Sequence, residues 1–76
     1  MRLSDLSDGQ SAIITRFNEL SPDVRKRLMI MGMLPNTRVS LVRRAPMGDP
    51  LQVEVRGVSI AVRDAIASLI YVEVVA

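Results

Sequence analysis

The chain has 76 residues, with ten basic and eight acidic side chains and a formal net charge of +2 at pH 7. Its length suits one small domain, so we expect a single domain over residues 1–76 and exclude functions that need two domains. It contains no cysteine and no histidine, so it forms no disulfide and lacks thiol and imidazole groups as nucleophiles, bases or metal ligands.

The start of the chain, "MRLSDLSDGQ", lacks the basic segment and apolar core of a secretory signal. The longest uncharged apolar stretch, residues 65–72, is less than half of the ~20 residues that a spanning helix needs. Together with the absence of cysteine, these features predict a cytoplasmic protein that does not insert into the membrane.

The N-terminal part predicts a turn at "LSDGQ" and a first strand at "SAIITRF". Both alternating sets of this strand contain apolar residues. The sequence therefore leaves open which face of the first strand is buried.

One helix is predicted over "SPDVRKRLMIM", because Ser21 suits the N-cap and Pro22 the first helical position. Gly32 is expected to end it in the left-handed conformation, and Pro35 prevents its resumption. At about 100° per residue, three apolar side chains form one stripe that we expect to face the core: Val24, Leu28 and Met31.

From Val39 onward apolar and polar residues alternate, which is typical of half-buried strands. "RVSLVRR" is predicted to be a strand that ends at the loop "APMGDP". "LQVEVRGVSIAV" predicts a hairpin with a two-residue turn at Arg56 and Gly57. This turn sets the register and directs three pairs inward: Val55 with Val58, Val53 with Ile60, and Leu51 with Val62.

"RDAIASL" breaks the alternation and predicts one helical turn, followed by a last strand, "IYVEVV", with Ile70, Val72 and Val74 inward. The predicted fold is mainly β: about five strands, a short helix between the first two long strands, and a helical turn before the last strand. In so small a chain we expect an SH3-like barrel, which leaves few strand edges exposed.

The segment "MIMGM" places three methionines around Gly32. Residues two apart on a helix point about 200° apart, so Met29 and Met31 cannot share a metal ion. We expect Met31 to fill the core, and Met29, Met33 and Leu34 to lie outside the helix stripe. Methionine is common both as core filler and at adaptable binding surfaces, and the sequence alone leaves both roles open.

Other chemistry is scarce. With one lysine, no histidine and carboxylates scattered singly, we expect no enzyme activity and no cofactor. No phosphate-binding loop is present. Only Phe17 and Tyr71 are aromatic, so we expect no nucleic-acid binding, although a nucleic-acid-binding barrel remains an alternative.

The segment "SPDVRKRLMIMGMLPNTRVSLVRRAPMGDPLQVEVRGVSIAVR" resembles the FeoA family, small cytoplasmic proteins of bacterial ferrous iron uptake. The family pattern often has glycine where this chain has Asn36. The resemblance implies an SH3-like barrel and a helper role toward FeoB, a membrane permease with a cytoplasmic GTPase domain, with no iron bound by this chain. Regulation of GTP hydrolysis, stabilisation of the transporter, or both, fit that role.

If the chain is a binding module, we predict partner contacts at the helix end, residues 29–34, and at the loop "MGDP", residues 47–50. An ordinary Pro-Gly turn is the competing interpretation of the loop. Met47, a large apolar side chain where a polar turn would suffice, favours contact. Unpaired strand edges would permit weak self-association. A similar fold occurs in the C-terminal domain of iron-dependent repressors, so an interaction domain of a metal-dependent regulator is a further alternative. The candidate contact residues are Leu28, Met29, Met33, Leu34, Pro35, Met47, Gly48, Asp49 and Pro50.

Overall fold

The computed structural model describes residues 1–75 and confirms a mainly β fold. The elements are a 3₁₀ turn (Leu3–Asp5), β1 (Ser11–Phe17), α1 (Pro22–Ile30), β2 (Arg38–Arg44), β3 (Leu51–Val55), β4 (Val58–Val62), α2 (Asp64–Ala67) and β5 (Ile70–Val74). The helix between the first two long strands and the helical turn before the last strand lie where the sequence predicted them. Ala76, the last residue of the predicted domain, lies outside the described residues, and the single-domain assignment stays a prediction.

The five strands form one antiparallel sheet in the order β4-β3-β2-β1-β5. Every strand contributes side chains to a single apolar core, so the sheet curves around that core. No polar or charged residue within 1–75 is buried. Apolar burial is therefore the main stabilising contribution to the fold. The strand order leaves β4 and β5 as the two outer strands of the sheet.

The first strand turns Ala12 and Ile14 toward the core, which answers the question that its sequence left open. Its register against β5 shifts between Ile14 and Arg16. Such an irregularity changes which side chains point inward, so a strict alternation of apolar residues cannot run through the strand. The shift accounts for Phe17, which packs against the core after it, whereas Ile13 lies before the shift and is half-buried.

The β3–β4 hairpin has the predicted register, and all three predicted pairs lie opposite each other. Its turn residues Arg56 and Gly57 both have positive φ, 53° and 79°, as the tight two-residue turn requires. Two inward assignments are wrong: Val58 is 56% exposed and Val74 is 42% exposed. Both lie at the ends of outer strands, where no neighbouring element covers them.

Helix α1 begins as predicted, since the Ser21 hydroxyl accepts a hydrogen bond from the Val24 amide at 3.3 Å. At its other end Gly32 has a φ of +93°. The Gly32 amide donates to the carbonyl of Met29 at 3.0 Å, and the Met33 amide donates to the carbonyl of Leu28 at 2.9 Å. These two bonds form a Schellman motif, which turns the chain back across the helix end.

The Schellman motif reverses the predicted roles of two methionines. Met33 is fully buried in the same core cluster as Leu28, whereas Met31 is 42% exposed. In this motif the second residue after the cap commonly packs against the last helical turn, so Met33 enters the core. Met31, at the cap itself, remains outside. The predictions that Met31 faces the core and that Met33 lies outside it are wrong.

The N-terminal segment packs on the sheet, which the sequence analysis did not predict. Leu3 and Leu6 are buried, and the Val72 amide donates to the carbonyl of Met1 at 2.8 Å. The Asp5 carboxylate accepts a hydrogen bond from the Arg2 amide at 2.9 Å, and this bond lowers the pKa of Asp5. The segment therefore covers part of the outer edge of β5.

Met33→Ala should lower the free energy of unfolding by about 2 to 5 kcal/mol, because it leaves a cavity in the core. Met31→Ala, the same substitution at the exposed position two residues earlier, should cost no more than about 0.5 kcal/mol. Urea denaturation of both variants measures the difference. Equal losses would contradict the burial pattern at the helix end.

Candidate functional site

The C-terminal end of α1 exposes three consecutive apolar side chains, which we call the helix patch: Met29, Ile30 and Met31. Their exposed fractions are 42%, 75% and 42%. Of the four apolar residues that end this helix, only Leu28 is covered by the core. Ile30 was missed as a candidate contact, although four apolar residues in a row at the end of an exposed helix signal a surface.

A hollow of about 490 Å³ lies on one side of the helix patch. Its polar side chains, Arg25 and Lys26, are both basic, so the apolar surface has a positive rim. A partner that binds there would match it with apolar and acidic groups. The lining residues are Leu20, Pro22, Arg25, Lys26, Met29 and Ile30.

A second hollow, of about 240 Å³, lies between α1, the end of β4 and α2. We call it the helix–β4 hollow. Its walls are mostly apolar, and its two charged residues, Arg27 and Arg63, are both arginines. The lining residues are Val24, Arg27, Leu28, Met31, Ala61, Val62, Arg63 and Ile66.

The structure removes two of the predicted contact residues at the helix end from the surface. Leu28 is 3% exposed and Met33 is fully buried, since both pack into the core across the Schellman motif. Leu34 is half-buried and Pro35 is exposed. Of the helix-end candidates, Met29 and Pro35 are exposed and Leu34 is partly so, and their contact with a partner stays a prediction.

The loop after β2 projects Met47 into solvent, where its side chain is 93% exposed. Two backbone hydrogen bonds close the loop: the Gly48 amide to the carbonyl of Ala45 at 2.7 Å, and the Ala45 amide to the carbonyl of Pro50 at 3.0 Å. Gly48 has a φ of +87°, which glycine adopts without strain. The loop is therefore an ordered turn with one large apolar side chain at its tip.

Asp49, a predicted contact residue, has a partner within the chain. Its carboxylate accepts a hydrogen bond from the Asp64 amide at 2.9 Å, which satisfies a free donor at the start of α2. Arg44 lies 3.6 Å from the Asp64 carboxylate and donates hydrogen bonds to the carbonyls of Ser4 and Leu6. Asp49 and Arg44 together connect the loop, α2 and the N-terminal segment.

The helix end and the loop lie on either side of the end of β4. A further hollow, of about 270 Å³, is lined by Asp49, Pro50, Ala61 and Arg63. Ala61 and Arg63 also line the helix–β4 hollow. The two predicted contact segments therefore lie on either side of these two residues. Sequence analysis did not select them, because alanine in a strand and arginine in a basic chain carry no distinct signal.

Within residues 1–75, the structure places no three His, Cys, Asp or Glu side chains together as a metal-binding group. No helix in this part of the chain is long and apolar enough to cross a membrane. The surface of this part of the chain carries the helix patch, the basic side chains beside it, and Met47 at the tip of the loop.

A family model for the FeoA domain matches residues 1–74, almost the whole chain. The chain belongs to the FeoA domain family. This confirms the family resemblance of its motifs. Asn36, which stands where the family pattern often has glycine, has a φ of +67°, a conformation that asparagine tolerates better than most residues.

A relative from Porphyromonas gingivalis (strain ATCC BAA-308 / W83) is an Fe(2+) transport protein A/Fe(2+) transporter FeoB fusion protein. It is 33% identical over 75 residues, which is 99% of this FeoA-family chain and 9% of the relative. This chain therefore spans less than a tenth of the length of that relative.

Two solved structures resemble the FeoA-family chain closely. FeoA from Chlorobium tepidum is 36% identical with a TM-score of 0.95, over 100% of this chain and 71% of that one. FeoA from Stenotrophomonas maltophilia, complexed with zinc, is 29% identical with a TM-score of 0.82, over 96% and 89%. The latter is described as a prokaryotic SH3 domain protein, which confirms the SH3-like fold.

Asp49→Ala should lower the free energy of unfolding by about 0.5 to 2 kcal/mol, because it removes the acceptor at the start of α2. Asp49→Asn keeps an acceptor oxygen and should cost less. Thermal or urea unfolding compares the two, and amide exchange at Asp64 localises the effect. If both variants unfold like the wild type, the carboxylate contributes little to the structure.

Proposed function

We propose that this chain is an accessory protein of bacterial ferrous iron uptake that binds a FeoB-like permease, at its cytoplasmic part, and regulates or stabilises it. The observation that carries the proposal is the fusion relative, in which the same type of domain and the transporter form one polypeptide. Fusion keeps two parts at a high effective concentration. A separate chain needs a binding surface to achieve the same association.

The helix patch fits the requirements of such a surface. Large apolar side chains release water on contact, and methionine adapts its shape to a partner because it is unbranched. The basic side chains beside the patch, Arg25 and Lys26, would orient an acidic partner. Met47 offers a second apolar contact on the loop.

We propose no catalytic role and no cofactor for the chain itself. The permease would carry the iron and hydrolyse GTP, and this chain would act through protein contact at the inner face of the cytoplasmic membrane. Nucleic acid is not a proposed partner, because stacking aromatics are scarce. Regulation and stabilisation are distinguished by GTP hydrolysis of the permease with and without this chain.

Met29→Lys should weaken binding to the permease about tenfold or more, because a charge would be desolvated in an apolar contact. Its melting temperature should stay within a few degrees of wild type, since exposed substitutions cost about 0.5 kcal/mol or less. Val42→Lys adds the same charge at an equally exposed apolar residue of β2 and should bind normally. A pull-down paired with a thermal melt measures both properties.

Leu28→Ala completes the comparison, because this buried neighbour of Met29 should lose about 2 to 5 kcal/mol of stability. Weak binding by that variant would reflect unfolding. If Met29→Lys is folded and binds as wild type, the helix patch is not the contact surface.

The isolated chain should bind neither Fe(II) nor GTP with useful affinity, because it has no cluster of suitable ligands within residues 1–75 and no phosphate-binding loop. Isothermal titration calorimetry under anaerobic conditions tests both ligands. A low-micromolar Fe(II) site would show that the chain handles iron directly and would overturn the proposed division of labour.

A further inference from the structure

The two outer strands of the sheet differ in how their edges are covered. The edge of β5 is partly occupied, since the Val72 amide donates to Met1 and Arg2 forms a bridge with Tyr71. Among residues 1–75, β4 pairs only with β3. The outer side of β4 is therefore the open edge of this part of the chain.

The register identifies which backbone groups of β4 point outward. The hairpin turn makes Val55 and Val58 a hydrogen-bonded pair, and such pairs alternate along an antiparallel ladder. The amides and carbonyls of Ser59 and Ala61 therefore point away from β3. Within the described residues, none of the hydrogen bonds outside the ladders uses these groups.

The β4 edge also lacks the usual protection. Proteins generally discourage pairing at an exposed edge with charges, proline or bulges. The sequence "VSIAV" contains neither a charge nor a proline, and the β3–β4 register is regular over all five pairs. The side chains that flank the outward groups, Ser59 and Ala61, are small, so another strand could approach closely.

Hollows lie on both sides of this edge, as strand addition requires. The helix–β4 hollow is on the side of α1. The other hollow, of about 370 Å³, is on the outer face of the sheet, and we call it the outer hollow. An added strand would direct alternate side chains into the two hollows. The outer hollow is lined by Arg43, Ala45, Pro50, Gln52, Ser59, Ile60 and Ala61.

The charges around the edge select the chemistry of the added strand. Arg43 lines the outer hollow, whereas Arg27 and Arg63 line the helix–β4 hollow. No acidic residue lines either of these two hollows. A second copy paired edge to edge would bring arginines together, which is unfavourable. Acidic side chains directed into the outer hollow would instead match Arg43.

We propose that β4 is a strand-addition site for an extended segment of a protein partner in which apolar residues alternate with Asp or Glu. The partner's backbone would bond to Ser59 and Ala61, its apolar side chains would enter the mostly apolar helix–β4 hollow beside Met31, and its acidic side chains would face Arg43 in the outer hollow. That the segment belongs to the FeoB-like permease rests on the proposed function. The strand site itself rests on the free edge, the two hollows and the arginines.

The test is amide hydrogen exchange of the labelled chain with and without the FeoB-like permease in detergent micelles at low salt. The Ser59 and Ala61 amides should exchange about tenfold more slowly in the complex, because each gains a hydrogen bond. Raising the salt concentration should weaken the complex, since the arginines contribute electrostatically.

Ala61→Pro should reduce affinity for the permease about tenfold, because it removes an outward donor and leaves a partner carbonyl unpaired. Proline is tolerated on an edge strand when its nitrogen faces solvent, so the hairpin should persist. Ala61→Val keeps the donor and is the matched control. Arg43→Glu leaves the edge intact and should also weaken binding, independently of any effect of proline on folding.

The outcomes separate this inference from the proposed function. If the permease binds while both amides exchange unchanged and Ala61→Pro binds like Ala61→Val, the strand site is wrong and the proposed function stands. If the wild type does not bind the permease, the proposed function fails and a synthetic peptide decides the strand site. This peptide alternates valine and glutamate over eight residues.

With that peptide, slower exchange at Ser59 and Ala61 supports the strand site, and no change at millimolar peptide overturns it. Dimerisation in analytical ultracentrifugation with the same protection would show that a second copy occupies the edge, contrary to the proposal.

Discussion

The turn at Gly32 is the constraint on which the candidate surface depends. Two backbone hydrogen bonds, from Gly32 to Met29 and from Met33 to Leu28, end the helix and reverse the chain. They place Met33 in the core and keep Met31 at the surface. A left-handed residue at this position permits that reversal, and glycine adopts it without the penalty of a Cβ. The way the helix ends therefore decides both the exposure of Met31 and the burial of Met33.

In the loop "APMGDP" as well, some residues make contacts within the chain and one apolar side chain is exposed. Asp49 is held at the start of α2, and Arg44 connects that region to the N-terminal segment. These polar contacts bind together parts of the chain that the sheet does not pair directly. Met47 takes no part in them and projects into solvent. The same short motif thus anchors the loop and presents one apolar side chain at its tip.

The two outer strands of the sheet differ in how far their edges are covered. Met1 and Arg2 cover part of one edge, where the buried Leu3 and Leu6 hold the segment in place. The other edge stays open beside the helix. In so small a domain, covering both edges would leave fewer backbone groups free to pair with a partner. The open edge belongs to β4, and Met31 of the helix patch and Asp49 of the loop line hollows at the end of that strand.

Local sequence determined the mainly β fold, the start and end of α1 and the β3–β4 register, because each depends on patterns or turn residues within a few positions. The partner of Asp49, by contrast, could not be read from local sequence, since the Asp64 amide that bonds to its carboxylate lies 15 positions further along the chain. The side chains of β1 that turn inward change at a register shift against β5. The burial of Met33 and the exposure of Met31 depended on packing beyond the helix. Tertiary structure decided these points, since burial depends on which distant elements cover a side chain, and neither periodicity nor composition records that.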